Sequence, residues 1–439
     1  MAALGGLLFG FDTAVISGTT DALQTVYNLS NAWLGFTVAS ALIGTIIGSI
    51  SVGWPTDKIG RRNMLVCMGV LYLVSAVGSA LAWDWYSFLI FRFIGGLGVG
   101  GASVLSPIYI AEIAPAKNRG RLVMLAQFNI VLGILLAYIS NYFVTLFNFG
   151  DTEWRWMFGV EAFPAFAFVG LLFTNPYSPR WLMAKGRKRE ALDVLCTLEG
   201  DPDVAQKEQV AIQESLDMEH HRRTERFYSK KYLKPILLAC AIGAFNQLSG
   251  INALIYYGPT IFKMAGAAGG NALLQSVIIG LVNLVFTIAA MGVIDHFGRK
   301  KLMLIGSIGY IISLGMASFV FFKYGEDFSK LGGITLLGAL IVFIASHAFG
   351  QGAVCWVFMS EVFPNRVRAR GQALGSFTLW IFNALVSQTF PMIAGKFGGG
   401  AIFAVYCGFM VIQLLWVLVI MPETKGIPLE DIQKQFDIE

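Results

Sequence analysis

Charge is what this sequence has little of. Only 13% of its 439 residues are Asp, Glu, Lys or Arg, against roughly 25% in a soluble domain. So few charges cannot cover an ordinary soluble enzyme or keep a disordered chain in water. Histidine numbers four and cysteine five. The cysteines (Cys67, Cys196, Cys240, Cys355, Cys407) are scattered and no HExxH occurs, so neither a metal site nor a disulfide scaffold is expected. No nucleophile–base constellation stands out, and the chain does not read as an enzyme. The net charge of +5 is not gathered on a polar domain, which excludes a nucleic-acid-binding face. No basic stretch precedes the first apolar run, so no signal peptide is expected.

Apolar residues are abundant, at 56%, with 49 glycines that suit close helix packing in a bilayer. Apolar runs occur near 4–20, 32–54, 64–82, 87–111, 122–146 and 156–174, then near 235–262, 272–294, 302–322, 334–360, 371–394 and 401–421. A crossing needs about 20 residues, so twelve transmembrane helices in an all-α membrane protein are expected. Residues 175–234 are polar, with Ala191, Leu192, Leu195 and Leu198 at helical spacing. The expected organisation is a six-helix bundle over 1–174, a cytoplasmic helical linker over 175–234, a second bundle over 235–422 and a cytoplasmic tail over 423–439.

Orientation follows from Lys and Arg in the short loops. The connections after spans 2, 4, 8 and 10 carry three each: Lys58, Arg61, Arg62; Lys117, Arg119, Arg121; Arg299, Lys300, Lys301; Arg366, Arg368, Arg370. The other face carries Arg155, Lys263, Lys323, Lys330 and Lys396 over five connections. This places the even-numbered connections, the linker and both termini in the cytoplasm of a multi-pass plasma-membrane protein.

The same loops repeat. Asp57-x-x-Gly60-Arg61-Arg62 returns as Asp295-x-x-Gly298-Arg299-Lys300, and Glu112-x-x-Pro115-x-x-x-Arg119 as Glu361-x-x-Pro364-x-x-x-Arg368. Two matches at corresponding places imply a parallel duplication of six spans, a layout found in transporters. The carboxylates are not needed for topology, so these loops are expected to form charge pairs at a cytoplasmic gate, each worth about 0–1 kcal/mol when exposed.

The chain resembles the sugar porter family of the major facilitator superfamily. The resemblance rests on Gly53–Arg62, Pro107-Ile-Tyr-Ile-Ala-Glu112, Trp154-Arg155, Ser178-Pro-Arg-Trp-Leu182, Gln247-Leu-Ser-Gly-Ile-Asn252 and Pro422-Glu-Thr-Lys-Gly426, and covers nearly the whole chain. It implies two pseudo-symmetric six-helix bundles, a monosaccharide substrate moved by alternating access, protons as the only coupling species with no cofactor, and a monomer working in the lipid bilayer without a nucleic-acid partner. It also adds Arg180 and Glu423 to the expected gate.

Three ionisable residues fall inside spans: Asp12, Arg92 and Glu161. Charges there are costly, about 2.5–3.5 kcal/mol on insertion scales, and are usually paired. Spans 1 and 4 can bring Asp12 to Arg92, either as a permanent structural pair or as a proton switch that loads when the pair parts. The resemblance supports the switch, since proton-coupled members carry an aspartate at this place. Glu161 either tunes Asp12 or is a hydrogen-bonded helix contact.

Sugar recognition needs groups that donate and accept hydrogen bonds, with aromatic faces beside them. Span 7 supplies Asn246, Gln247, Asn252, Tyr256 and Tyr257, with Ser249-Gly250 as a point where a helix can bend. The resemblance assigns sugar contacts to Gln127, Gln247, Asn252, Asn283 and Trp356. It places Trp380 and Asn383 in the same cavity, with Phe9 and Tyr257 as lining. Asn246 stands where many relatives have Gln, Leu379 where Gln or Asn is frequent, and Tyr177 where an acidic residue is usual, so a weaker gate is expected there. Three readings compete: a proton-coupled symporter, a facilitative uniporter in which the buried pair is only structural, and a membrane sugar sensor.

Overall fold

The computed structural model describes residues 4–114, 119–221, 227–267, 269–325, 328–364 and 367–425, without the side chains of 119–124, 126, 217–221 and 293–295. The expected partners Arg119 and Asp295 therefore have side chains outside the described set. Every regular element among the described residues is helical. Among the described residues, ten helices are long and apolar enough to cross a membrane. The shorter apolar helix Leu4–Gly18 supplies span 1, and the longest, Arg368–Val419, holds two expected spans joined at Gly398. The twelve crossings of a major facilitator fold result.

Lipid-facing stripes appear where the apolar period leaves a face uncovered. Val70, Val74, Val77 and Leu81 form one on Arg61–Ala80 (span 3), and Ile305, Ile308, Ile312, Met316 and Phe319 another on Arg299–Tyr324 (span 9). Polar side chains such as Asp12, Arg92, Glu161, Gln247 and Asn383 are instead buried. This inverts the pattern of a soluble protein, because hydrocarbon is the solvent.

Four spans are interrupted, span 7 at the Ser249-Gly250 point where a bend was expected and the other three where uninterrupted runs were. Span 1 passes from Leu4–Val15 through a 3-10 turn, Ile16–Gly18, into Thr20–Val26. Span 6 breaks at Glu161, between Glu153–Val160 and Ala162–Leu172. Span 7 breaks between Leu233–Leu248 and Ile251–Met264, where Gly250 takes φ 83°, a conformation glycine adopts at no steric cost. Span 10 carries a π turn, Ala348–Gly352, between Lys330–His347 and Ala353–Glu361. Such breaks are tolerated at membrane depth where protein buries them. The polar stretch forms Pro179–Ala184, Lys188–Glu199 and Pro202–His221, as its spacing predicted.

The backbone packs as two units. The first comprises Met1–Asp12, Ile43–Gly133 and Phe158–Arg226. Its core includes Leu8, Leu65, Tyr72, Val99, Leu105, Tyr109 and Phe168. Spans 2 and 4 cross within it on glycine: a methyl group at Gly100 would lie 2.1 Å from the Thr45 carbonyl, and one at Gly48 2.4 Å from that of Leu97. The second unit comprises Thr13–Leu42, Ile134–Met157 and Phe227–Glu439. It thus joins the ends of spans 1, 2 and 5 remote from the basic loops to spans 7–12. Tyr138 of span 5 donates to the Ile255 carbonyl at 2.9 Å, and Gln388 of span 11 to the Ala32 carbonyl at 2.8 Å.

Candidate sugar and proton sites

The first unit brings the three in-span charges together. Span 4, Trp85–Ile113, starts with a capping box in which Asp84 accepts from the Ser87 amide at 2.7 Å. That start sets the register carrying Arg92 about 10 Å into the span. Its Nη1 donates to Asp12 Oδ1 at 2.6 Å and Nη2 to the Asp12 carbonyl at 3.5 Å. The pair is almost fully enclosed, Asp12 at 3% and Arg92 at 2% exposure. Phe158 covers the guanidinium, 5.3 Å from its ring centroid. Glu161 is buried at the break of span 6, and neither of its carboxylate oxygens has a hydrogen-bond partner among the described residues.

Span 3 adds hydroxyls that the sequence reading missed. Tyr72, Ser75 and Ser79 share one helix face by their spacing, are buried, and have hydroxyl oxygens without a hydrogen-bond partner among the described residues. Gly95, one turn beyond Arg92, leaves the room between them: a methyl group there would lie 2.3 Å from Ser75 Oγ and 3.6 Å from Asp12 Oδ1. A polar serine in an apolar helix was the only signal available in the sequence, and it is a weak one.

In the second unit, the amides of span 7 form a chain around the Gly250 break. Gln247 Nε2 donates to Asn246 Oδ1 at 2.8 Å, and Asn252 Nδ2 donates to Gln247 Oε1 at 2.6 Å. Nearby, Tyr257 donates to the Ser387 carbonyl at 2.9 Å and stacks on Phe390, with centroids 4.8 Å apart. Asn383 Nδ2 donates to the Tyr256 hydroxyl at 3.4 Å and accepts from Ser387 at 3.2 Å. Tyr257 and Asn383 are therefore committed to joining spans 7 and 11. Asn283 is buried and accepts from Thr287 at 3.5 Å. Trp380 is buried, whereas Trp356 is 42% exposed. Gln127 and Phe9 are half-buried in the first unit, Phe9 against its core.

The repeated loops form two charge networks, each with its described contacts inside one unit. In the first, Arg61 binds Glu112 at 3.0 Å and Asp57 at 3.3 Å, while Ser178 donates to Glu112 at 2.5 Å. Arg180 donates to Ser215 at 3.3 Å. Tyr177, standing where an acid is usual, stacks on Trp181 and lies 4.8 Å from the Arg62 guanidinium, so a cation–π contact holds that arginine. In the second, Arg299 makes a two-pronged pair with Glu361 at 2.9 and 3.2 Å, and Thr424 donates to Glu361 at 2.6 Å. Glu423 accepts from the Arg299 and Lys300 amides at 2.9 and 3.1 Å. Partial burial pushes its carboxyl up, but backbone donors from Lys425, Arg299, Lys300 and Thr424 together hold it below the usual range. Arg368 donates to the Phe363 carbonyl at 3.4 Å.

Two further groupings were not foreseen. On the face away from the basic loops, Lys263 binds Asp21 at 2.5 Å, Thr260 donates to Asp21 at 3.3 Å, and Thr20 and Thr260 share a hydrogen bond of 3.2 Å. Around the π turn of span 10, Tyr310 lies 2.6 Å from His347 Nδ1. Gln351 donates to Gln413, which donates to Ser307 at 2.8 Å. His347 and Gln351 were visible as polar residues in a greasy run.

A family model described as sugar (and other) transporter matches residues 1–436. The chain is similar to a D-xylose-proton symporter of Escherichia coli, 41% identical with 100% of this chain and 95% of the relative covered. It is also similar to an arabinose-proton symporter of Bacillus subtilis, 37% identical over 99% and 93% of the two chains. Among solved structures, the inward-open xylose transporter of E. coli matches with a TM-score of 0.87 at 38% identity, covering 99% of this chain and 98% of that one.

Proposed function

Since this chain belongs to the sugar transporter family of the major facilitator superfamily, we propose that it is a proton-coupled monosaccharide symporter working by alternating access. It is a multi-pass membrane protein and not an enzyme. The observation that carries proton coupling is the enclosed Asp12–Arg92 pair with a buried Glu161 beside it whose carboxylate makes no hydrogen bond among the described residues. The guanidinium is the counter-charge of the buried carboxylate, and an enclosed acid that loses its counter-charge favours its neutral, protonated form. Protons are the coupling species in this reading, and the two proton-symporting relatives support it.

In the same reading, Gln247 and Asn252 exchange their mutual hydrogen bond, and Asn283 its bond from Thr287, for sugar hydroxyls, and Trp356 offers an aromatic face. Asn246 holds Gln247 in place. Tyr257, Trp380 and Asn383 shape the wall, and Gln127 and Phe9 keep the contacts that the resemblance gives them. The loop networks steady the cytoplasmic ends, and the Asp21–Lys263 pair latches the outer face. The chain is organised as bundle, linker, bundle and tail, with both termini in the cytoplasm of the plasma membrane, and works as a monomer.

The test is uptake of xylose, arabinose and glucose into proteoliposomes with and without an inward proton gradient. Symport predicts gradient-driven accumulation that Asp12→Asn abolishes while counterflow exchange persists. Equilibration without accumulation in the wild type would make the protein a uniporter.

A further inference from the structure

The coupling centre must satisfy Asp12 in two charge states, and Arg92 can serve only one. A guanidinium donates and never accepts, whereas a carboxylic acid also needs an acceptor for its proton. A buried acid without one costs free energy comparable to a lost hydrogen bond. The groups around Asp12 come from three spans. Arg92 of span 4 is already bonded to it. Glu161 of span 6 is an acceptor too, but it is also the carboxylate free to take up Arg92 once Arg92 leaves Asp12. Tyr72 of span 3 is a phenol at 0% exposure, its hydroxyl without a hydrogen-bond partner among the described residues. Ser75 Oγ, one turn along the same face, borders the same Gly95-made space as Asp12 Oδ1 and has no hydrogen-bond partner among the described residues.

We infer that Ser75 is the positioning residue for protonated Asp12: its hydroxyl oxygen accepts the acid's proton once Arg92 has withdrawn. An alcohol both donates and accepts, so it can follow Asp12 through either state. Gly95 is the structural condition, because any side chain there would fill the space between the two oxygens. The unpartnered Ser75 is then the waiting half of a hydrogen bond made only in the proton-loaded state. This inference rests on the symport reading and names a group that reading does not.

The test is the pH dependence of sugar accumulation in proteoliposomes. Ser75 stabilises only the loaded state, so Ser75→Ala shifts half-maximal accumulation to more acid pH. Loss of one neutral hydrogen bond corresponds to about 0.4–1 pH unit. Ser75→Thr keeps the hydroxyl and brings the midpoint back toward wild type. A Ser75→Ala midpoint equal to wild type overturns the inference, as does an equal shift in Ser75→Thr, which would mark a packing effect. A wild type that never accumulates sugar would defeat the symport reading itself, a separate outcome.

Discussion

Asp12→Asn leaves Arg92 buried without its counter-charge. Removing one partner of an enclosed ion pair costs about 3–5 kcal/mol, most of it from the charge left behind. Here Glu161 offers a second carboxylate, both of whose oxygens are unpartnered among the described residues. It can take up the freed guanidinium, so Asp12→Asn alone should cost only roughly 1–3 kcal/mol. Glu161→Gln alone breaks no hydrogen bond and should cost about 0–1 kcal/mol. The double variant leaves Arg92 with neither acid and should cost the full ~3–5 kcal/mol, more than the singles combined. Denaturant titration in micelles, followed by tryptophan fluorescence, measures all three. If the double variant equals the sum of the singles within about 0.5 kcal/mol, Glu161 does not compensate Arg92 and the three-residue centre is wrong.

The outer latch is an ion pair with 41% and 44% of its side chains exposed, worth about 0.2–1 kcal/mol. Asp21→Asn should therefore favour outward opening up to about fivefold, read as faster alkylation of a cysteine placed at buried Ser17, with less effect in high salt; unchanged rates would count against a latch. Glu423 is held below the usual carboxylate range, so its contribution is present at neutral pH and lost as pH falls through that lowered value. Amide protection at Arg299 and Lys300 should weaken with acidification, and be lost at every pH in Glu423→Ala, which removes both accepting oxygens; persistence in that variant would contradict the assignment. Gln247→Ala and Asn252→Ala should each weaken sugar binding about five- to tenfold by calorimetry, and unaltered affinity in both would remove the amides from the site.

Much of this protein was legible in the amino-acid order. Hydrocarbon demands unbroken apolar helices, so the spans show as runs and in-span charges stand out against them. Asp12, Arg92 and Glu161 were visible for that reason, and so was the duplication, because Asp-x-x-Gly-Arg and Glu-x-x-Pro repeat at the same points in each half. The breaks in spans 1, 6, 7 and 10 were mostly hidden, since a 3-10 or π turn costs little and leaves the apolar period intact. Only the Ser249-Gly250 pair gave one away.

Partnerships across helices belong to the tertiary structure. Packing puts Ser75 beside Asp12, Lys263 on Asp21 and Thr424 on Glu361, pairs separated by 63, 242 and 63 positions. Hydropathy reports how each residue suits its solvent, one helix at a time. Which two polar groups meet depends on how each helix is rotated about its axis, and that is decided by glycine contacts such as Gly48 and Gly100, where backbones touch, and Gly95, where a side chain fits against the helix.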